Sequence, residues 1–150
     1  MTNIVTDQIK QDIIKKLVNL DAGGDTIKIA LFTSGLTTAS HTSGVYGSSP
    51  LNANEVSSSG TGYTTGGNSL SAASNSIITA NAPSIGWTNT ANSSSTSWTS
   101  ATWSDARYAV VYDTNDNNHV IAIIDFLSTY SVTASTFKLN FDATGILVLA

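Results

Sequence analysis

The sequence predicts a mainly β protein: an antiparallel β-sandwich or a jelly-roll-like barrel of about eight or nine short strands, with one short N-terminal α-helix. Many short apolar runs are separated by clusters of Gly, Ser, Thr and Asn, which is the pattern of strands joined by turns. One stretch near the N-terminus instead has apolar residues at helical spacing. The chain has 150 residues, no fixed repeat and no linker, so we expect residues 1–150 to form a single β-sandwich domain.

The segment from Arg107 to Phe126 is the best candidate for the central strand pair, because it is the most apolar long segment of the chain. Two runs rich in β-branched residues, Arg107–Asp113 and His119–Phe126, flank the turn-forming residues Thr114–Asn118. This arrangement is typical of a β-hairpin. We expect this hairpin to be the scaffold on which the other strands assemble.

Further short apolar or alternating segments are expected to be strands. They are Thr26–Phe32, Ser69–Ser71, Ser76–Ala80, Ile85–Thr88, Ser97–Trp103, Thr129–Ala134, Thr136–Phe141 and Ile146–Leu149. In the first of them Ile27, Ile29 and Leu31 fall on one face. Asp142–Gly145 is interpreted as a hairpin loop between the last two. The long, glycine-rich stretch Leu36–Gly67 has little regular pattern, and loops of this length are usually functional or ordered by a partner.

The helix is expected from about residue 7 to about residue 20, with Thr6 or Asp7 as its N-terminal cap. Gly23 and Gly24 would end it. Its apolar positions recur at helical spacing: Ile9, Ile13, Ile14, Leu17, Val18 and Leu20. This apolar stripe either packs against the sheets or contacts a neighbouring subunit. A role at a membrane surface is less favoured, because the helix is short and lacks an aromatic anchor.

The composition excludes several functions. Charged residues make up only 11% of the chain and the net charge is −4, which gives no basic surface for nucleic acid. Between Ile29 and Ser104 the only charged side chain is Glu55. There is no cysteine, which excludes disulfides and thiolate metal sites. No signal peptide and no membrane-spanning run is recognisable, so synthesis in a cytoplasm without export by a cleaved signal is expected.

The hairpin turn has a pattern related to a calcium loop. Asp113, Asn115 and Asn117 have the spacing of the first three ligands. However, Asn118 stands where the invariant glycine should be, and Ile124 where the bidentate glutamate should be. Asp and Asn are also good turn formers, so an ordinary turn is the favoured interpretation.

No catalytic motif is recognisable. The two histidines, His41 and His119, are far apart and have no metal-binding spacing, and no nucleophile elbow is present. A carboxylate pair for glycoside hydrolysis is conceivable, but nothing in the spacing brings two of the candidates together. These candidates are Glu55, Asp105, Asp113 and Asp125. We therefore expect no enzyme activity, no cofactor and no metal.

The aromatic residues allow two interpretations. They could form a platform on which sugars stack, or they could pack in the core and at interfaces, where aromatic side chains contribute most. The residues concerned are Tyr46, Tyr63, Trp87, Trp98, Trp103, Tyr108 and Tyr112. Packing is the favoured interpretation.

The order of segments resembles a family of virion proteins of tailed bacteriophages, the capsid decoration or cement proteins. The resemblance rests on the N-terminal helix followed by Ile27–Phe32, Asn54–Ser57, Gly60–Tyr63 with Gly66 and Gly67, Trp98–Trp103, Ala106–Asp113, Val120–Phe126 and Asn140–Leu149. It covers most of the chain in order, and the last two segments match best. The chain departs from the family at Phe141-Asp142, where similar proteins tend to carry Trp-Asn, and in the region from Ser34 to Leu51.

The resemblance implies a function in the virion. A decoration protein binds the outside of the major capsid protein lattice and stabilises the head, and it is expected to be a homo-oligomer, most simply a trimer. The chain would then be synthesised in the bacterial host cytoplasm and be located at the capsid surface of the virion. The alternatives are another virion component, such as a tail, neck or head-fibre protein, and, less favoured, a carbohydrate-binding module.

The contact surface of such a protein is expected on the helix, in the long loops and at exposed aromatic residues. The candidate interface residues are Ile9, Ile13, Leu17, Val45, Tyr46, Tyr63, Trp87 and Trp98.

Overall fold

The computed structural model describes residues 2–20, 24–36, 44–49, 51–60, 62–70, 77–81, 84–88, 95–141 and 147–149. These residues form one α-helix and eight strands. In chain order they are β1 (Thr2–Val5), α1 (Asp7–Lys15), β2 (Ile27–Phe32), β3 (Asn68–Leu70), β4 (Ile77–Asn81), β5 (Ser84–Thr88), β6 (Ser95–Asp113), β7 (His119–Asn140) and β8 (Leu147–Leu149). The prediction of a mainly β chain with one short helix is confirmed.

The strands form two antiparallel sheets. The larger sheet has five strands in the order β1-β7-β6-β2-β3, and the smaller has three in the order β4-β5-β8. The larger sheet is open, with β1 and β3 at its edges. The more specific prediction of a sandwich or barrel of short strands is therefore not confirmed.

The central hairpin is confirmed, and it is much longer than predicted. Val110 pairs with Ile123 and Asp113 with His119, as the apolar runs indicated. The two strands then continue as a ribbon as far as the pair Ser95 and Asn140. The predicted separate strands on either side of the hairpin are therefore parts of β6 and β7.

Bulges explain why the ribbon was predicted as several strands. The register between β6 and β7 shifts repeatedly between Trp98 and Tyr108. Ser100, Leu127 and Ala134 have positive φ angles of 53°, 64° and 46°. Residues of this kind interrupt the alternating pattern as a turn would, but a bulge only bends and twists the strand and does not reverse it.

The helix begins as predicted and ends early. Thr6 is the N-cap, and its hydroxyl accepts a hydrogen bond from the backbone N–H of Ile9 at 3.3 Å. The last helical residue is Lys15, and Lys16 has a left-handed conformation (φ 58°). The prediction that the helix extends to about residue 20 is wrong, because Lys16 takes the capping conformation that was assigned to the glycines.

Strand β1 was not predicted from the sequence. It pairs with β7, with Ile4 opposite Ile123 and Val5 opposite Ala122. The chain then continues through the buried Thr6, whose hydroxyl donates to the carbonyl oxygen of Val120. The start of α1 is therefore fixed directly to the central hairpin.

Both faces of the larger sheet carry buried apolar side chains. On β2, Ile27, Ile29 and Leu31 belong to one cluster, as the alternation predicted, and Ala30 and Phe32 belong to a second cluster on the other face. Strands buried on both faces have nearly continuous apolar sequences, which explains the composition of β2 and of the hairpin.

The predicted hairpin at the end of the chain is wrong. Strand β8 pairs with β5, with Leu149 opposite Ile85, and not with β7. The predicted loop residues 142–145 lie outside the described residues. The short strands β3, β4, β5 and β8 themselves lie where the sequence predicted them, within one or two residues.

We expect Ile123→Asp to destabilise the protein severely. Ile123 is buried in the cluster that contains Phe32 and Val110, so the new carboxylate would lie in apolar surroundings without a partner. Such a change costs about 4 kcal/mol. Urea denaturation measures this loss, and Ile14→Asp is the matched control because Ile14 is 81% exposed. Equal stability of the two variants would contradict the assignment of Ile123 to the core.

Candidate contact surface

The helix presents part of the predicted interface to solvent. Ile9 is buried in the core, whereas Ile13 and Leu17 are 36% and 49% exposed. Ile14, beside them, is exposed to 81%. The predicted stripe therefore divides into two parts. Ile9, Val18 and Leu20 are buried or partly buried against the core, whereas Ile13, Ile14 and Leu17 form an exposed group. We call this group the helix patch.

The two predicted residues in the first loop are half-buried and attached to the central hairpin. The backbone N–H of Tyr46 donates to the carbonyl oxygen of Asn118 at 2.9 Å, and Val45 forms a β-bridge with His119. The ring of Tyr46 stacks on that of Tyr112, with centroids 4.1 Å apart.

The predicted aromatic residues Tyr63 and Trp98 are core residues. Both are buried and contact Trp103, which is also buried. The structure therefore places them in the interior of the chain, where they cannot form the exposed platform that a sugar requires. Trp87 lies on β5 opposite Ile78 and Leu147.

A single carboxylate holds the long loop, and sequence reasoning did not assign it this role. Glu55 accepts hydrogen bonds from the hydroxyl of Tyr46 at 2.7 Å, from the hydroxyl of Tyr63 at 2.8 Å and from the backbone N–H of Gly66 at 2.7 Å. The hydroxyl of Tyr112 donates to the carbonyl oxygen of Gly66 at 2.9 Å. The sequence feature that could have indicated this role is that Glu55 is the only charged residue between Ile29 and Ser104.

The environment of Glu55 keeps the three tyrosines protonated. Burial, followed by the negative charge of Glu55, raises the pKa of Tyr46 and of Tyr63 well above the usual value. The same causes raise the pKa of Tyr112 to about 12. The hydroxyls therefore remain hydrogen-bond donors at any physiological pH.

One long edge of the larger sheet is open. Strand β1 pairs with β7 from Ala122 to Asp125, and from Phe126 to Asn140 no described strand pairs with β7 on that side. Most side chains in this stretch are exposed, including Leu127 at 58% and Tyr130 at 46%. An edge of this kind offers main-chain donors and acceptors to another chain. In this stretch the N–H groups of Leu127 and Ala134 already donate to the side chains of Asp125 and Thr102. We call this open edge the β7 edge.

The carboxylates that were considered for glycoside hydrolysis have local partners. Asp105 accepts hydrogen bonds from the backbone N–H and the hydroxyl of Ser34, the latter at 2.7 Å. Asp125 pairs with Arg107 at 3.2 Å. Partial burial opposes ionisation of Asp125, but the hydrogen bonds from Arg107 and from the Leu127 amide outweigh it and lower its pKa.

Asp105 also lines a cleft of about 530 Å³. The walls carry mainly hydroxyl groups and include Ser59, Thr102, Ser104 and Thr133, with Trp103 as the aromatic component. Among the described residues that line it, Asp105 is the only carboxylate, so these residues do not supply the carboxylate pair that glycoside hydrolysis requires.

The residues that suggested a calcium loop stabilise the turn. Asp113 accepts a hydrogen bond from the backbone N–H of Asn115 at 2.8 Å, and the side chain of Asn115 accepts one from the N–H of Thr26 at 2.9 Å. Asp113 is itself buried beside Asp25. Burial, together with the carboxyl group of Asp25, raises the pKa of Asp113 to about 6.

Comparison with known proteins gives no relative: no protein-family model matches the chain, and no curated protein or solved structure matches it significantly. Within the described part of the chain, no helix has the length and apolar character needed to cross a membrane.

We expect Glu55→Ala to destabilise the long loop. The substitution leaves three hydrogen-bond donors without their acceptor, so the free energy of unfolding should fall by about 3 kcal/mol. Glu55→Gln keeps one acceptor oxygen, so its free energy of unfolding should fall by only about 1 kcal/mol. Urea denaturation gives both values, and hydrogen exchange of the Gly66 amide reports the local effect. A wild-type exchange rate in Glu55→Ala would contradict the role of Glu55.

We expect Asp113→Asn to stabilise the protein in a pH-dependent manner. The pKa of Asp113 is raised from 3.8 to about 6, so between these pH values the folded state keeps a proton that the unfolded state has lost. The contribution of Asp113 to the free energy of unfolding therefore falls as the pH rises through this range. Asparagine carries no charge at either pH. The free energy of unfolding of Asp113→Asn should therefore exceed that of the wild type by about 1 kcal/mol near pH 8 and by almost nothing near pH 4. Denaturation at both pH values checks this, and an equal effect at both would contradict it.

Proposed function

We propose that the chain is a bacteriophage capsid decoration protein, which binds the outside of the major capsid protein lattice and stabilises the head. The observation that carries the proposal is the β7 edge, where no described strand pairs with the main chain from Phe126 to Asn140 on the side away from β6. The resemblance of the segment order to decoration proteins supports it.

The β7 edge suits addition of a strand from another molecule. Main-chain hydrogen bonds of such an interface supply affinity, and the side chains that alternate along the edge supply specificity. The exposed residues are mostly Ser and Thr, with Lys138 as the only charge between Phe126 and Asn140. Few charges therefore have to be desolvated when this surface is covered.

Exposed apolar side chains lie near the start of β7 and in its middle part. The helix patch lies at the start of the strand, because α1 is fixed there by Thr6. Leu127 and Tyr130 lie beyond the end of β1. Tyr130 packs against Phe126 and Phe137, beside a hollow of about 210 Å³ that a partner side chain could fill.

Two separated surfaces allow one molecule to bind two neighbours. A subunit that bridges capsomers gains from avidity, since the second contact forms at a high effective concentration. A contact between one surface of a copy and a different surface of the next closes into a ring where the rotation between copies divides a full turn, and a trimer is the form expected at three-fold positions of the lattice.

Removal of the coding sequence from the phage genome tests the proposal. Virions that contain hundreds of copies, and heads that lose DNA at a lower temperature without the protein, are the expected results. Re-addition of the purified protein should restore heat resistance. A dozen copies or fewer would instead indicate a tail, neck or head-fibre component, and absence from purified virions would overturn a virion function altogether.

Charge substitutions locate the contact surface. We expect Ile14→Lys and Leu127→Lys each to weaken binding to heads that lack the protein about tenfold, since each places a charge where an apolar side chain is to be covered. Gln11→Lys adds the same charge to an exposed position of α1 outside the helix patch, and Thr99→Lys adds it to an exposed position of β6; both should bind as the wild type does. Wild-type binding of both apolar variants would place the contact elsewhere.

A further inference from the structure

Three ionisable side chains from separate elements meet at the base of the helix. They are Asp12 of α1, Asp116 of the hairpin turn and His119 at the start of β7. The Nδ1 atom of His119 lies 3.2 Å from Oδ2 of Asp12 and 3.0 Å from Oδ2 of Asp116. One potential ligand atom from each residue lies within 4.8 Å of the other two.

The two carboxylates lack a compensating cation from the protein. The side chain of Asp12 is only 3% exposed and that of Asp116 only 12%. All six Lys and Arg residues of the chain lie in its described part, and none forms an ion pair with either carboxylate. Buried carboxylates require a positive partner, and an imidazole supplies one only when it is protonated.

A single imidazole nitrogen faces both carboxylates. Nδ1 carries one lone pair or one hydrogen, yet two carboxylate oxygens approach it at hydrogen-bonding distance. The amide of Gln8 lies 3.3 Å from the same nitrogen. A cation bound by the Nδ1 lone pair and by both carboxylates would satisfy all three groups at once.

We propose that Asp12, Asp116 and His119 form a binding site for a divalent transition metal ion, represented by Zn²⁺. In tetrahedral coordination with bonds of about 2.0–2.1 Å, neighbouring ligand atoms are about 3.3 Å apart. The two separations between His119 and the carboxylates, 3.2 Å and 3.0 Å, are close to this value. One imidazole nitrogen and two carboxylate oxygens are a suitable donor set for Zn²⁺. Ca²⁺ and Mg²⁺ prefer more ligands and only oxygen atoms.

Gln8 acts as the outer partner of this site. Its side-chain N–H donates to Oδ1 of Asp12 at 2.8 Å, which directs Oδ2 towards His119. Such outer contacts orient ligands before the metal arrives. The fourth coordination position is available to water or to a ligand from another molecule.

The metal ion connects the helix to the tip of the central hairpin. Asp12 precedes His119 by 107 residues in the sequence, so coordination closes a long loop in the unfolded chain. An ion that binds only the folded state raises its stability by mass action. The site is independent of the proposed function, since it requires no capsid partner.

Isothermal titration of the chelator-treated full chain with Zn²⁺ tests the site. We expect one ion per chain, a Kd of about 1 µM or tighter, and a higher Tm with Zn²⁺. Asp116→Asn and His119→Gln should each weaken binding tenfold or more. Asp7→Asn, on the exposed face of the same helix, and His41→Gln, which changes the other histidine, should bind as the wild type does.

Nuclear magnetic resonance of the imidazole nitrogens assigns the ligand atom directly. Zn²⁺ should shift the Nδ1 resonance of His119, and Asp116→Asn should need a larger excess of Zn²⁺ than the wild type to reach the same shift. Absence of binding to the wild type would overturn the proposal. Undiminished binding by Asp116→Asn and His119→Gln, both folded by circular dichroism, would also overturn it.

Discussion

The main-chain pairing of β6 with β7 is the interaction on which the larger sheet depends. Strand β2 joins this pair through β6, and β1 joins it through β7, while β3 is attached only through β2. The pair is buried on both faces around Val110 and Ile123, so the strongest apolar contacts lie where the main-chain hydrogen bonds are also most regular. Loss of this region would therefore release the helix, both edge strands and the loops together.

A second constraint acts on the long polar loop from Leu36 to Gly67. The long loop buries Leu36, Leu51 and Val56 in the two core clusters, and Glu55 adds hydrogen bonds from two tyrosine hydroxyls and one backbone amide. A charged acceptor inside an uncharged region forms stronger hydrogen bonds than the surrounding hydroxyls and amides can form with one another. This explains how a chain with so few charges can fix a loop that passes over both clusters of the core.

The sequence was informative where patterns are local. The tip of the hairpin, the alternation of Ile27, Ile29 and Leu31 and the cap at Thr6 follow from neighbouring residues, and all are confirmed. The length of the ribbon was missed, because a bulge has the same residue types as a turn.

Non-local features could not be predicted. Tyr63 and Trp98 were predicted at an interface and are buried in the core. Aromatic residues are common in both environments, so only the fold shows which of the two a given residue occupies. The pairing of β8 with β5 and the meeting of Asp12 with His119 join residues far apart in the chain, for which a single sequence has no signal.

The position of β1 has a consequence for the order of folding. Its partners Ala122–Asp125 are synthesised more than 100 residues after it, so β1 and the helix that follows cannot dock until the central hairpin exists. Contacts of such large sequence separation form late and slow the folding of β proteins. Strand β1 is thus made before the other described elements and is among the last to reach its place, and beyond Asp125 no described strand continues its pairing along β7.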